Sequence, residues 1–246
     1  MSRLRHESLF TYIHPLAEAY PDNGIKICHL NINHLLPHHK DLAKDSNILN
    51  SDVIALTEIH LNKNGNNVDI PGFDHITKCT RHGLSVYIKE SFPYSLLQLD
   101  TSIQYLAIKL LDRITCVIVY NPPRHQQDFI QNMKDTIIPF MSESCLVMGD
   151  FNIQNTETWL QDVMTEHNFI QLINSATHRD GGIIDHIYIR NLHRDGGIID
   201  HIYIRGLHSV QSGVLPAYYS DHAAIYPILQ YSMLYIKTAR LLSINI

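Results

Sequence analysis

The stretch Leu146-Val147-Met148-Gly149-Asp150-Phe151-Asn152 constrains this chain more than any other. Its short apolar run reads as a buried strand. The glycine, acid and amide that close the run set a carboxylate and an amide at a strand end, where pockets form. Strand alternation puts Asp150 and Asn152 on one side wherever the extended conformation continues. One of the two then takes or holds a proton while the other donates to an oxyanion. A structural reading competes, because Gly and Asp are ordinary turn residues and an Asx turn would close the strand equally well. The choice turns on whether other apolar runs also end in polar groups.

Several do. Ile25-Lys26-Ile27-Cys28-His29-Leu30-Asn31-Ile32-Asn33 alternates and delivers two amides at its end. They either cap a strand or, for Asn31, offer a carbonyl oxygen to a hard cation. Asp52-Val53-Ile54-Ala55-Leu56-Thr57-Glu58 closes on a carboxylate that is costly to bury unless it is paired or holds a metal. Further strands are predicted over 84–89, 103–110 and 114–120, the last ending at Tyr120 before Asn121-Pro122-Pro123, which cannot continue a central strand. Tyr219-Ser220-Asp221-His222 precedes a strand over 223–229. In extended chain Asp221 and His222 face opposite ways, so one holds a metal while the other faces a phosphate. Helical spacing is read over 3–20, 124–142 and 156–168, a helix is allowed over 37–51, and 62–82 reads as a loop. Strands that follow one another without an intervening helix suit mixed sheets covered by helices.

Composition sets the outer limits. A chain of 246 residues with 45% hydrophobic content is long enough to bury a sizeable core in one domain. No apolar run approaches the roughly 20 residues needed to span a bilayer, and no secretory signal pattern opens the chain. The expectation is an intracellular protein, nuclear or cytoplasmic, that makes no membrane contact. The cysteines, Cys28, Cys79, Cys116 and Cys145, show no paired-ligand spacing and read as reduced thiols. A net charge of -5 argues against a broad basic surface, so nucleic-acid binding would rest on a local groove, a metal ion or the 17 histidines.

Taken in order, Leu30-Asn31-Ile32-Asn33, Leu56-Thr57-Glu58-Ile59-His60-Leu61, Val119-Tyr120, Gly149-Asp150-Phe151-Asn152, Ile184-Asp185-His186-Ile187 and Ser220-Asp221-His222 resemble the endonuclease/exonuclease/phosphatase superfamily. Within it, the chain looks most like the endonuclease domain of non-LTR (LINE-type) retrotransposons. The resemblance covers about residues 25–230, with a helical leader over 1–24 and a tail over 231–246 of unassigned role. It implies an α/β fold, a four-layer sandwich of two packed mixed β-sheets flanked by helices. It also implies a phosphodiesterase that uses magnesium, or manganese in its place, and nicks DNA. The reverse transcriptase that accompanies such domains is not in this chain. Glu58 would be the main metal ligand, with Asn31 beside it and Asp221 nearby. Asp150 would orient or deprotonate the attacking water, and Asn152, Tyr120 and His222 would stabilise charge on the phosphoryl oxygens. The Asp of the Ile-Asp-His motif would hold the His222 imidazole. Asn33 stands where several relatives carry Asp. Two alternatives stay open: another phosphodiesterase or phosphatase of the superfamily, and a decayed, inactive fragment.

One departure is conspicuous. Residues 178–192 and 193–207 are identical except for Asn191 and Gly206, so Asp185 and Asp200 compete for one place. Using Asp185 lengthens the connection to Asp221 from 21 to 36 residues, whereas using Asp200 lengthens the connection from Thr177 from 8 to 23. Loop-closure entropy puts the first extension at about 0.5 kcal/mol and the second at about 0.9, a slight preference for Asp185. The spare copy is expected to lower stability or solubility. Of the remaining histidines, His34, His38 and His39 read as solvated surface, and His60 and His186 are set aside because alternation turns them away from the site residues.

Overall fold

The computed structural model describes residues 24–62, 68–79, 82–98, 104–123, 129, 131–137, 144–153, 158–190 and 206–232. Residues 1–23 of the expected leader, Asp200 and most of the second repeat, and residues 233–246 of the expected tail lie outside the described residues. One sheet contains β1 (Ile25–Asn31), β2 (Val53–Thr57), β3 (Phe73–Lys78), β4 (Leu84–Lys89), β11 (Gly206–Leu215) and β12 (Ala224–Ser232). The other contains β5 (Tyr94–Gln98), β6 (Tyr105–Leu110), β7 (Ile114–Tyr120), β8 (Cys145–Asp150), β9 (Phe169–Gln171) and β10 (Asp185–Arg190). The strand orders are β11-β12-β1-β2-β4-β3 and β5-β6-β7-β8-β10-β9. In each, the third and fourth strands form a parallel pair, β1 with β2 and β7 with β8, among antiparallel neighbours.

Alternation along the strands builds the layers. Ile25, Ile27, Val53, Ala55, Val86 and Ile88 of one sheet pack against Leu106, Ile108, Cys116, Ile118, Leu146, Met148 and Ile187 of the other. Each such side chain taken from water contributes roughly 1.5–3 kcal/mol, so this seam holds the sheets together. The opposite faces are covered in turn. Cys28, Leu30, Ile54, Leu56 and Tyr87 lie against Leu35 and Leu42 of α1 (Leu35–Leu42) and Ile48 of α2 (Ser46–Leu49). Val117, Val147, Phe151 and Tyr188 lie against Met133, at the start of a single π-helical turn, and Leu160 and Met164 of α3 (Thr158–Glu166). The result is the four-layer α/β sandwich.

One expectation is corrected. The stretch 62–82 contains a strand, β3, whose sequence Phe-Asp-His-Ile-Thr-Lys is too polar to announce itself and which pairs with β4 at a sheet edge. Within 124–142 the described residues, 129 and 131–137, are helical, with a π turn over Met133–Ile137. The last strand runs to Ser232. All four cysteines are free, and no described helix is long and apolar enough to cross a membrane.

Candidate active site

Inward-facing positions change from apolar to polar at one end of the sandwich, and there both parallel pairs terminate. In β1 the inner face reads Ile25, Ile27, His29, Asn31, and in β8 it ends on Asp150. Asn31 Nδ2 donates to Asp150 Oδ2 at 2.9 Å, a bond that ties one sheet to the other across 119 residues of sequence. Tyr120, opposite Asp150 in the β7–β8 register, donates its hydroxyl to Glu58 Oε1 at 2.6 Å. Asp185 opens β10 directly across from Asp150 on the other side.

Gly149 makes this arrangement possible. Its φ of 150° and its closeness to the Val119 carbonyl oxygen leave no room for a Cβ. The chain then turns at Asn152, where φ is 50°. Asn152 N donates to Asp150 Oδ1 at 2.9 Å and Asn152 Nδ2 to Asp150 Oδ2 at 3.0 Å, so the Asx turn and the polar site are one structure. Asn152 Nδ2 also donates to the Asn121 carbonyl at 2.9 Å, which engages both of its amide hydrogens. The extended conformation assumed from sequence does not continue to Asn152. The turn, not alternation, brings it back to Asp150.

His222 Nδ1 lies 2.8 Å from Asp185 Oδ2. Thr177 Oγ1 receives the Ile184 and Asp185 amides at 3.1 Å, and Ser220 Oγ donates to the Asn31 carbonyl at 2.7 Å while accepting from His222 N at 3.1 Å. Burial alone would depress the His222 imidazole. The hydrogen bond and charge of Asp185, helped by Asp150 and Asp221, outweigh it and hold the pKa at about 9. Asp150 is pushed well above the ordinary carboxylate range, first by burial and then by the Asp185 charge, against the pull of His222, Asn31 and Asn152. A carboxylate raised in this way is suited to accept a proton near neutral pH. Tyr120 is pushed above its usual range by burial and by its bond to Glu58, so it stays a neutral donor.

Asp221 lies beside the mouth of the site. Its Oδ2 is 3.8 Å from His178 Nε2, and the His178 ring meets the His222 ring edge-on at 5.0 Å. These residues, with Arg179, Tyr218 and Ser220, line an open cleft of about 240 Å³. The structure thus gathers Asn31, Asp150, Asn152, Asp185 and His222 into one connected network, with Glu58 and Tyr120 as a second pair joining the same strand ends. Asp200 lies outside the described residues, and the place its repeat position would fill is held by Asp185.

A model of the Endonuclease/Exonuclease/phosphatase family matches residues 28–222. The chain belongs to the endonuclease/exonuclease/phosphatase family. Among solved structures, this family member is similar in fold to the endonuclease domain of TRAS1, a telomere-specific non-LTR retrotransposon, with a TM-score of 0.63 and 13% identity over 83% of this chain and 97% of that one. It is similar to the 3′ phosphatase NExo from Neisseria bound to product DNA hairpin, with a TM-score of 0.60 and 15% identity over 85% of this chain and 100% of that one. It is also similar to the AP endonuclease LMAP from Leishmania major, with a TM-score of 0.59 and 13% identity over 91% and 92% of the two chains. At these identities the likeness is one of fold. No curated protein matches the sequence.

The residues of this endonuclease/exonuclease/phosphatase family member fit a divalent cation. Asp185 Oδ1 and Asp221 Oδ1 are buried carboxylate oxygens without a hydrogen-bond partner, the kind of atom a cation satisfies. Among the described residues, two groups hold three donor atoms within 4.8 Å of one another: Asp150 with Asp185 and His222, and Glu58 with His60 and His82.

Sequence reasoning passed over four residues of this family member's site. His29, one alternation step before Asn31, lies beneath Asp185, with Nδ1 at 3.9 Å from Asp185 Oδ1 and Nε2 at 3.1 Å from Thr57 Oγ1. The inward alternation of β1 would have revealed it. Thr177 and His178 carry no motif of their own. His60 was set aside by alternation, yet its Nε2 is 3.5 Å from Glu58 Oε2 because Glu58 and His60 have φ of 53° and 49° and the chain has left the strand. His186 does face away, with Nε2 at 2.8 Å from the Ile153 carbonyl oxygen.

Proposed function

We propose that this chain is a divalent-metal-dependent phosphodiesterase that nicks DNA. The observation that carries the reading is the junction of the Asp185–His222 ion pair with Asp150, which three donors from Asn31 and Asn152 hold in place. Asp150 accepts the proton of an attacking water. Asp185 keeps His222 Nδ1 engaged, which leaves Nε2 to donate to a phosphoryl oxygen as negative charge develops there. Asn152 positions Asp150 rather than touching substrate, since both of its amide hydrogens are already engaged.

Glu58 would hold the magnesium, or manganese in its place, with the side-chain oxygen of Asn31, Oδ1, and Asp221 completing an all-oxygen set. When bound, the ion supplies charge neutralisation at the scissile phosphate. The cleft beside His222 offers Arg179 for a backbone phosphate and the exposed Tyr218 for a base face. Similarity in fold to a retrotransposon endonuclease domain supports DNA as substrate.

The test is conversion of supercoiled plasmid to the nicked circle with magnesium, comparing the intact chain with Glu58→Ala and Asp150→Asn. Nicking by the intact chain that drops by roughly 100-fold or more in each variant is expected. A folded chain with no metal-dependent nicking would overturn the reading, and small phosphodiesters would be the next substrates.

A further inference from the structure

Glu58 faces two different sets of partners. Toward the sheet interior it meets the Tyr120 hydroxyl. On the other side it meets imidazoles. Glu58, His60 and His82 bring one ligand atom each to within 4.8 Å of one another, and all three side chains are only partly buried. The segments that carry them are laced by main-chain hydrogen bonds: His60 N to the His82 carbonyl at 2.7 Å, His34 N to the Glu58 carbonyl at 2.8 Å, and Leu35 N to the Ile59 carbonyl at 3.0 Å. The His34 ring stacks on His60 at 4.0 Å with an interplanar angle of 15°. The His60 and His82 rings lie 5.1 Å apart. Glu58 Oε1 is engaged by Tyr120, and Oε2 is turned to His60. The left-handed backbone at Glu58 and His60 is a strained conformation for residues with side chains, and here it places both at one point.

We propose that Glu58, His60 and His82 form a transition-metal site for zinc or a similar borderline cation, distinct in its ligands from the all-oxygen magnesium set but sharing Glu58 with it. Two imidazoles, one carboxylate and a water make a four-coordinate set that suits zinc. Magnesium demands near-octahedral oxygen donors and has little use for two imidazoles. His34, stacked against His60, fixes the ring plane. The sharing of Glu58 rests on the nuclease reading. The site itself does not, because its three ligands are defined without reference to any substrate. The consequence is antagonism: zinc bound by the imidazoles withdraws the carboxylate that magnesium needs.

Cobalt(II) is the probe, since a four-coordinate nitrogen and oxygen site gives intense visible absorption whereas an octahedral oxygen site absorbs weakly. The metal-free full chain is titrated with cobalt(II) and then with zinc, alongside His60→Gln, His82→Gln and the control His38→Gln. Intense bands at one equivalent, displaced by zinc, are expected in the intact chain and the control. In His60→Gln and His82→Gln the affinity should fall by more than the roughly 10–100-fold that altering a merely supporting residue costs. Bands of unchanged intensity and affinity in those two variants would overturn the proposal, as would weak octahedral bands in the intact chain. His82→Cys guards against a variant that misfolds: it keeps a ligand and should add a near-ultraviolet thiolate-to-cobalt band, whose absence from a folded protein would also overturn the site. Binding is read without DNA, so an inactive chain still gives the answer, and failure of nicking bears on the nuclease reading alone.

Discussion

The Tyr120 hydroxyl donates to Glu58 Oε1 across 2.6 Å, joining the end of β7 in one sheet to the segment leaving β2 in the other. Because burial keeps the phenol neutral, it is a fixed donor that holds the carboxylate in one orientation. Tyr120→Phe removes only the hydroxyl from a buried ring, so the fold should survive while Glu58 loses its anchor. Nicking should fall by roughly 100-fold, with a higher magnesium requirement. Magnesium titrations of plasmid nicking measure both, and wild-type rates in the variant would remove Tyr120 from the machinery.

Asp185, from the first repeat, occupies the place opposite His222. Asp185→Asn should therefore abolish nicking to the level of the Asp150→Asn variant, while Asp200→Asn should leave it intact. The reverse result would mean that the second repeat supplies the working strand. Deleting residues 193–207 restores a single unit and should raise the melting temperature or the soluble yield. Unchanged values would show that the duplication costs nothing.

The Asp185–His222 pair also fixes a pH dependence. The folded-state pKa of about 9 lies above the unfolded value near 6.5, so the pair's contribution to stability is fully present below about pH 6.5 and is lost as pH rises through about 9. Imidazole proton NMR of the metal-free protein should show one histidine titrating near 9. In Asp185→Asn that resonance should titrate at a clearly lower pH, because burial then acts without its main opponent. A His222 resonance that stays put would contradict the pairing.

Gly149 predicts a stability effect with no chemistry in it. A methyl group there meets the Val119 carbonyl oxygen from a backbone angle that side chains avoid. Gly149→Ala should destabilise by about 3 kcal/mol, read as a lower urea midpoint with an unchanged slope. A loss under about 0.5 kcal/mol would mean that β7 and β8 part easily.

Much of this was legible because two rules cover most of it. Alternation located β1, apolar runs located β2, β4, β6, β7, β8 and β12, and the polar residues that end those runs marked Asn31, Tyr120 and Asp150. The rules fail where their premises do. Alternation stops at the left-handed residues Glu58 and His60, so His60 was assigned to the wrong side. β3 and β5 lie at sheet edges, where one face meets solvent and the hydrophobic signal thins. Loop entropy separated Asp185 from Asp200 by only about 0.4 kcal/mol, less than one hydrogen bond contributes. His178 comes into the site through an isolated bridge to His222, a pairing with no local sequence signal.

The bond from Ser220 to the Asn31 carbonyl spans 189 residues, and β1 takes β12 as its antiparallel neighbour. Synthesis on a ribosome proceeds from the amino end, and domains of this size fold largely as units. A nascent chain therefore exposes Asn31, Glu58, Tyr120 and Asp150 long before His222 and the strand that seats it have been made. Segments made early and late in synthesis meet at the site, which stays incomplete until Ser220, His222 and β12 have been made.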